Sequence, residues 1–472
     1  MYLTISLSST LLFTLTAVAT SATNDEQVQH QSSDSSQTSP YLAVSSPAWL
    51  ADIKTPFEDA RSLALSEEDI MVRPLEKVKN LQLTNFPPPM RAPPVDDPEV
   101  QAVIKQLDWS QVPDAPVRTA TPDGELNVES YNSEEDPHCW WSSTLCKTPK
   151  VNYIPEDISY CPRAGDWGLN YDDGPYRVWS DDENEKEYEE PRLYNFLIEQ
   201  GKLKATLFYI GSNVMTFPEA AQRAFSDGHT ICSHTWSHPY MTTLTNEQIV
   251  SELYWTQKAI KEAVGVTPKC WRPPFGDIDD RVRAIAWQMG MRSILWDRDS
   301  NDWALAAQSI SANTVNGYFK EWVELRAADQ DNEHGHIPLQ HESSNHTIML
   351  TEKWLPNIQK QFNIVPIHEC IGDSSPYWED GPWEYKSANK IIDEANREQQ
   401  REEEEDENES SNSDSDSSPN SRIAIGSNNN KTLSKEHQNI PGTPSSGVSL
   451  IHSIFIDSTL LFSFTFAFIF LN

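Results

Sequence analysis

Short apolar runs and helically spaced segments alternate from residue 167 to residue 370, and most of the apolar runs end in a polar cluster. Residues 168–171 read as a strand ending in the turn Asp172-Asp173-Gly174-Pro175. Leu193, Phe196 and Leu197 share one helix face in 191–200, which stops at Gly201. An apolar strand at 205–210 is closed by Gly211-Ser212-Asn213, a helix at 219–227 is stopped by Gly228, and a strand at 229–233 runs into His234. Thr245, with Gln248 three residues on, is a capping box opening a helix that carries Ile249, Leu253, Trp255, Ala259 and Ile260 to Gly265. Strand 269–271, helix 281–289, strands 291–295 and 337–340, helix 345–361 and strand 363–367 continue the alternation. This pattern predicts an α/β fold with a parallel sheet, since parallel neighbours need a crossover between them. In α/β barrels functional side chains gather at the C-terminal ends of the strands, where the polar clusters lie.

His234-Thr-Trp-Ser-His238 sets two imidazoles four residues apart, which on a helical turn would stand one above the other as a chelating pair. Alone, that spacing also fits a chance pair or two satisfied polar side chains. Asp172-Asp173 adds two adjacent carboxylates at a strand end, which repel each other unless something positive lies beside them. They would otherwise cap a helix or make an Asx turn before Pro175. One aspartate with two histidines makes a three-ligand site with open positions, the pattern of a catalytic metal. Such a metal polarises a carbonyl and acidifies a bound water, leaving the second carboxylate to take a proton.

In order along the chain, Asp172-Asp-Gly-Pro175, His234-Thr-Trp-Ser-His238, Arg272-Pro-Pro-Phe275, Asp299-Ser-Asn-Asp-Trp303 and Leu339-Gln-His341 resemble the five motifs of the polysaccharide deacetylase family. This is carbohydrate esterase family 4, with the NodB-homology domain, and the resemblance covers residues 137–385. The phrases Lys204-Ala-Thr-Leu-Phe-Tyr-Ile-Gly211 and Cys139-Trp-Trp141 are similar to the GPI-anchored chitin deacetylases of Cryptococcus-like basidiomycete yeasts. The resemblance implies a distorted, incomplete (β/α) barrel that removes N-acetyl groups from chitin, giving chitosan and acetate. It implies Asp173, His234 and His238 as ligands of a divalent metal, Zn²⁺ or Co²⁺, and Asp172 as the general base. Arg272 would hold Asp172 ionised, and the Phe275 backbone N–H would steady the oxyanion. His341 would be the general acid and Asp302 its partner, while Trp303 and Leu339 would wall the acetyl pocket. Asn170 stands where the family usually has Thr, and Phe275 replaces the commoner Tyr. A disulfide between Cys161 and Cys370 also follows from the resemblance; spacing leaves Cys139, Cys146, Cys232 and Cys270 unpaired on paper. Another wall polysaccharide is the rival substrate, and a catalytically dead wall-binding mannoprotein the rival class.

The remaining segments concern location. Residues 1–22 have a short apolar core followed by Ala17, Ala19 and Ala22, the form of a secretory signal peptide. At the other end, Ser445, Ser446 and Gly447 precede a spacer and an apolar run, the form of a GPI-anchor signal over 448–472 with Ser445 as the attachment site. A secreted chain held at the plasma membrane and cell wall is expected, with Asn345, Asn408 and Asn430 as glycosylation acceptors. Residues 23–136 are Pro-rich, and an extended, partly ordered arm is expected there, with a helical turn or two at 66–72. Residues 386–447 form a disordered acidic linker, densest in charge at 402–407, within a chain of formal charge −35. That linker is a solvated spacer or a polycation-binding tail, for which chitosan would be a partner. The charge argues against nucleic acid, which needs clustered Lys and Arg. A monomer acting on chitin or chitooligosaccharides is expected.

Overall fold

The computed structural model describes residues 47–53, 55, 63–76, 85–129, 131–176 and 191–379. Residues 1–22, where a signal peptide is expected, residues 386–472, where a linker and anchor tail are expected, and with them Asn408, Asn430 and Ser445, lie outside the described residues. Among the described residues no helix is long and apolar enough to cross a membrane.

Among the described residues, nine short strands carry the fold: β1 (Asp166–Gly168), β2 (Asn170–Asp172), β3 (Thr206–Tyr209), β4 (Thr230–Ser233), β5 (Cys270–Trp271), β6 (Arg292–Ser293), β7 (Arg298–Asp299), β8 (Pro338–Leu339) and β9 (Asn363–Val365). Ten α-helices accompany them among the described residues: α1 (Pro98–Ile104), α2 (Trp141–Thr144), α3 (Arg192–Glu199), α4 (Gly211–Thr216), α5 (Pro218–Ser226), α6 (Asn246–Val264), α7 (Asp280–Gln288), α8 (Ala312–Ala327), α9 (Asn345–Ile358) and α10 (Ile367–Cys370). Strands β2 to β6 form one sheet in chain order, every pair parallel, with α3 to α7 as crossovers. Parallel pairs β7–β8 and β1–β9 complete the set. Bridges Trp167–His336 and Asp172–His341 bring the β8 region back to β1 and β2, so the sheet curls into a distorted β/α barrel. No ladder joins β6 to β7 among the described residues; the segment at Ile158 pairs with Ile294 there instead.

Local chemistry sets the element ends. Thr245 and Gln248 make the capping box expected for α6, and Gly265 ends that helix at φ 84°. Asp279 caps α7 by accepting from the Val282 N–H. In α8, Val315, Phe319 and Trp322, its buried residues, keep the i, i+4, i+7 spacing of a helix face. Its stripe is narrow, and polar residues surround it.

Within the described part of the N-terminal segment, expected to be extended and partly ordered, Pro98–Ile104 is helical. Asp97 caps α1, whose Val100 and Val103 are fully buried. Burying each is worth about 1.5–3 kcal/mol, which offsets ordering the segment. Glu99 of α1 accepts from Tyr254 Oη at 2.6 Å and pairs with Lys258 Nζ at 2.5 Å, both on α6. Three disulfides are formed: Cys139–Cys146, Cys161–Cys370 and Cys232–Cys270. The second joins the residues before β1 to α10. The third lies between neighbouring strands β4 and β5.

Candidate active site

Asp172 ends β2 and is buried among the strand ends, its N–H donating to Gln340 O at 2.9 Å. The next residue, Asp173, takes φ 78°, a left-handed conformation that aspartate tolerates better than most residues. The two carboxylates consequently differ in their nearest partners, although Asp172 Oδ2 also lies 3.9 Å from His234 Nε2. Asp172 Oδ1 accepts from Arg272 Nη1 at 2.7 Å. Asp173 Oδ1 lies 3.5 Å from His234 Nε2 and 3.4 Å from His238 Nε2. Two ligand atoms held ~2.0–2.1 Å from a tetrahedral zinc stand ~3.3–3.4 Å apart, so this spacing fits a shared metal. Asp173 Oδ1 is moreover buried without a hydrogen-bond partner. An orphaned buried carboxylate oxygen is costly unless a cation meets it. Burial opposes its ionisation, but the two imidazoles outweigh that and hold the carboxyl well below its usual range. Among the described residues, Asp173, His234 and His238 are thus a cluster able to hold a metal ion.

The histidine loop corrects the helical turn expected from the HxxxH spacing. His234 follows β4 directly, and residues 234–240 contain no helix. Thr235 and His238 both have positive φ, 65° and 60°, which an α-helix cannot contain. What replaces the helical hydrogen bonds is Glu252 of α6. Its Oε2 accepts from the N–H of Trp236 at 2.9 Å and of Ser237 at 2.8 Å, and Oε1 accepts from Ser237 Oγ at 2.5 Å. His238 N–H donates to Thr235 Oγ1 at 3.2 Å. Burial pushes the Glu252 carboxyl up to about 7, against the Ser237 and Trp236 donors. Behind the loop, Trp236 stacks on Phe86 of the N-terminal segment, with ring centroids 5.7 Å apart. His234 Nδ1 meets the carbonyl of Arg272 at 2.8 Å. A carbonyl only accepts, so Nδ1 carries a proton there, and Nε2 is the ring nitrogen turned toward Asp173.

Arg272 is fully buried. Besides Asp172, it donates to Asn170 Oδ1 at 2.7 Å and to the carbonyls of Ile294 at 3.2 Å and Leu295 at 3.1 Å. Its guanidinium lies 4.0 Å from the centroid of Phe208. Asn170, at the place where Thr is usual, anchors this arginine and donates to the carbonyls of Gly168 at 2.6 Å and Pro338 at 2.9 Å. Phe275 has φ 60°, and its N–H donates to no group among the described residues. Its ring is 51% exposed, stacks on Tyr240 at 4.2 Å and meets His238 at 4.6 Å.

Opposite, His341 Nδ1 lies 2.6 Å from Asp302 Oδ1, and the His341 N–H donates to Asp302 Oδ2 at 2.9 Å. Burial disfavours the imidazolium, but Asp302, with Asp173 and Asp172 further off, pushes His341 up to about 10. Trp303 follows Asp302 and is 52% exposed, whereas Leu339 is buried at the end of β8. Sequence reasoning missed Glu252 and also Glu342. The latter is buried with Oε2 accepting from Tyr194 Oη at 3.2 Å, and burial pushes it up to about 8. No motif spacing marks either residue. Asn345 opens α9 half-buried, its Oδ1 accepting from Arg192 Nη1 at 3.4 Å, and Thr347 of that sequon is buried in the helix cap.

A parallel β/α barrel whose strand ends hold an Asp-His-His cluster, beside an arginine-clamped aspartate and an aspartate-bound histidine, defines the class. Residues 159–294 match the polysaccharide deacetylase family, and the chain carries a polysaccharide deacetylase domain. That span contains Asp172, Asp173, His234, His238 and Arg272; Asp302 and His341 lie beyond it. The chain is similar to a chitin deacetylase of Amylomyces rouxii, 42% identical over 286 residues, which are 60% of this chain and 65% of that protein. It is 39% identical to chitin deacetylase 2 of Cryptococcus neoformans var. grubii serotype A over 290 residues, 61% of each protein. The chain thus spans somewhat less than two thirds of the length of these relatives. A solved structure of the chitin deacetylase from Colletotrichum lindemuthianum superposes with a TM-score of 0.41 at 25% identity, covering 49% of this chain and 99% of that one.

Proposed function

We propose that this chain is a metal-dependent chitin deacetylase, hydrolysing the N-acetyl groups of N-acetylglucosamine units to give acetate and glucosamine units. The observation that carries the reading is the orphaned Oδ1 of Asp173, set 3.4–3.5 Å from two imidazole nitrogens beside a second, separately held aspartate. Asp173, His234 and His238 would hold a divalent metal, Zn²⁺ or Co²⁺. When bound, that ion supplies Lewis-acid polarisation of the acetamide carbonyl and lowers the pKa of water. Asp172 accepts the proton of the attacking water, and Arg272, 2.7 Å away, pairs with and aims its carboxylate. The free N–H of Phe275 is a donor for the oxyanion. His341, kept protonated by Asp302, gives its proton to the leaving amine. Trp303 and Leu339 would flank the acetyl methyl group.

Retention of Asp172, Asp173, His234, His238, Arg272 and His341 together favours an enzyme over a binding protein. The domain limits, the secreted state, the GPI attachment at Ser445, the three glycosylation sites and a monomeric state belong to the same proposal. They rest on the sequence patterns described above. Acetate release from chitin oligomers, abolished by a chelator and restored by added zinc or cobalt, is the expected result. Absence of release with metal supplied would defeat the reading. Truncation after Gly442 should free active enzyme into the medium; a truncated chain still held at the membrane would refute the anchor.

A further inference from the structure

Part of the N-terminal segment is folded onto the rim of this site. Ala120 and Leu126 form an antiparallel bridge, with Thr121 N–H donating to Glu125 O at 2.7 Å and Asn127 N–H to Thr119 O at 2.9 Å. The turn passes through Gly124 at φ 88°, a conformation that favours glycine. The hairpin is docked by the Arg118 N–H, which donates to Thr242 O at 2.8 Å. At its outer edge, exposed Glu125 accepts from Tyr240 Oη at 3.2 Å. Tyr240 in turn stacks on Phe275, whose ring meets His238. From the metal-type cluster outward the surface therefore runs through His238, Phe275, Tyr240 and Glu125. Among the described residues no cation pairs with Glu125.

An aromatic edge followed by an unneutralised carboxylate matches one chemistry within a chitin-derived chain. The C–H face of a pyranose packs against aromatic rings. A free 2-amino group, protonated, offers the carboxylate a charge-assisted partner that an acetamide lacks. We propose that Phe275, Tyr240 and Glu125 form a subsite for a glucosamine unit near the unit being deacetylated, so that a partly deacetylated chain binds better than a fully acetylated one. The identity of the polymer rests on the deacetylase reading; the charge discrimination rests on the hairpin.

The test is calorimetric binding of two probes, the tetramer of glucosamine and the tetramer of N-acetylglucosamine, to the full chain and to Glu125→Gln. It is run at a pH where the amines are protonated. Exposed ion pairs are weak, so Glu125→Gln should loosen the glucosamine tetramer by about two- to fivefold and leave the acetylated tetramer unchanged. The difference should shrink as salt rises. An unchanged affinity for both probes, or an equal loss for both, would overturn the subsite. Acetate release from the acetylated tetramer, followed in parallel, separates the two readings. Discrimination without release defeats the deacetylase assignment alone, and release without discrimination defeats the subsite alone.

Discussion

Asp172 and Asp173 are neighbours in the chain, yet one carboxylate faces Arg272 and the other faces two histidines. That separation predicts two distinct losses. Asp172→Asn should keep its metal and lose about 10²–10⁴-fold in turnover, with no rescue by added metal. Asp173→Ala should lose metal affinity and activity together. Metal content by mass spectrometry beside acetate release decides the matter, and the opposite pattern would exchange the roles. His341 gives a pH prediction. Its pKa is raised above the ordinary 6.5 to about 10, so the His341–Asp302 interaction contributes stability that is full below pH 6.5 and lost as pH rises through 10. The imidazolium is likewise available as an acid across neutral pH. Asp302→Asn removes the first attraction that raises it, so the alkaline limb of the kcat/KM profile should move to lower pH. An unmoved limb would mean that His341 is not the titrating acid.

The histidine loop hangs from α6 through one carboxylate. Glu252→Ala strips the acceptors from Trp236 N–H, Ser237 N–H and Ser237 Oγ. Zinc affinity should then fall about 10–100-fold, as for other groups that orient metal ligands. Glu252→Gln retains an oxygen for the two amides and should lose less; equal affinity in all three proteins would show that the loop holds itself. The turn after β2 has a different requirement. A Cβ at Gly174 would stand 1.8 Å from Glu342 Oε1 and 2.8 Å from Tyr209 Cε1, both on buried side chains. Gly174→Ala should therefore displace the Asp172-Asp173 turn and lower both metal binding and melting temperature. Wild-type values for this variant would contradict the packing.

Across the whole molecule, the Cys161–Cys370 disulfide spans 209 residues and closes nearly the entire barrel. Loop-closure entropy assigns such a bridge up to about 5 kcal/mol. Replacing both cysteines by serine should shift the urea midpoint downward by a corresponding amount, while the Asp173-His234-His238 cluster should survive in the folded fraction. An unshifted midpoint would mean that the bridge is not formed in solution. The described part of the N-terminal segment also packs on the barrel. Phe86 backs Trp236, α1 lies on α6, and the 118–127 hairpin reaches Tyr240.

Strand–helix alternation, the Thr245 capping box and the five polar clusters at strand ends were all legible in the chain, because each depends on residues a few positions apart. The same local logic misread His234–His238 as a helical turn, since nothing nearby announces that Glu252, fourteen residues beyond His238, satisfies the loop amides instead. Spacing left four cysteines open, and only strand neighbourhood set Cys232 beside Cys270. Pro-rich composition suggested an extended arm, but apolar Val100 and Val103 found a face on α6 that exists only once the barrel has folded. Periodicity is set by the backbone within a turn or two; hydrogen-bond partners and buried faces are set by which distant surfaces the fold brings together, and those the tertiary structure alone decided.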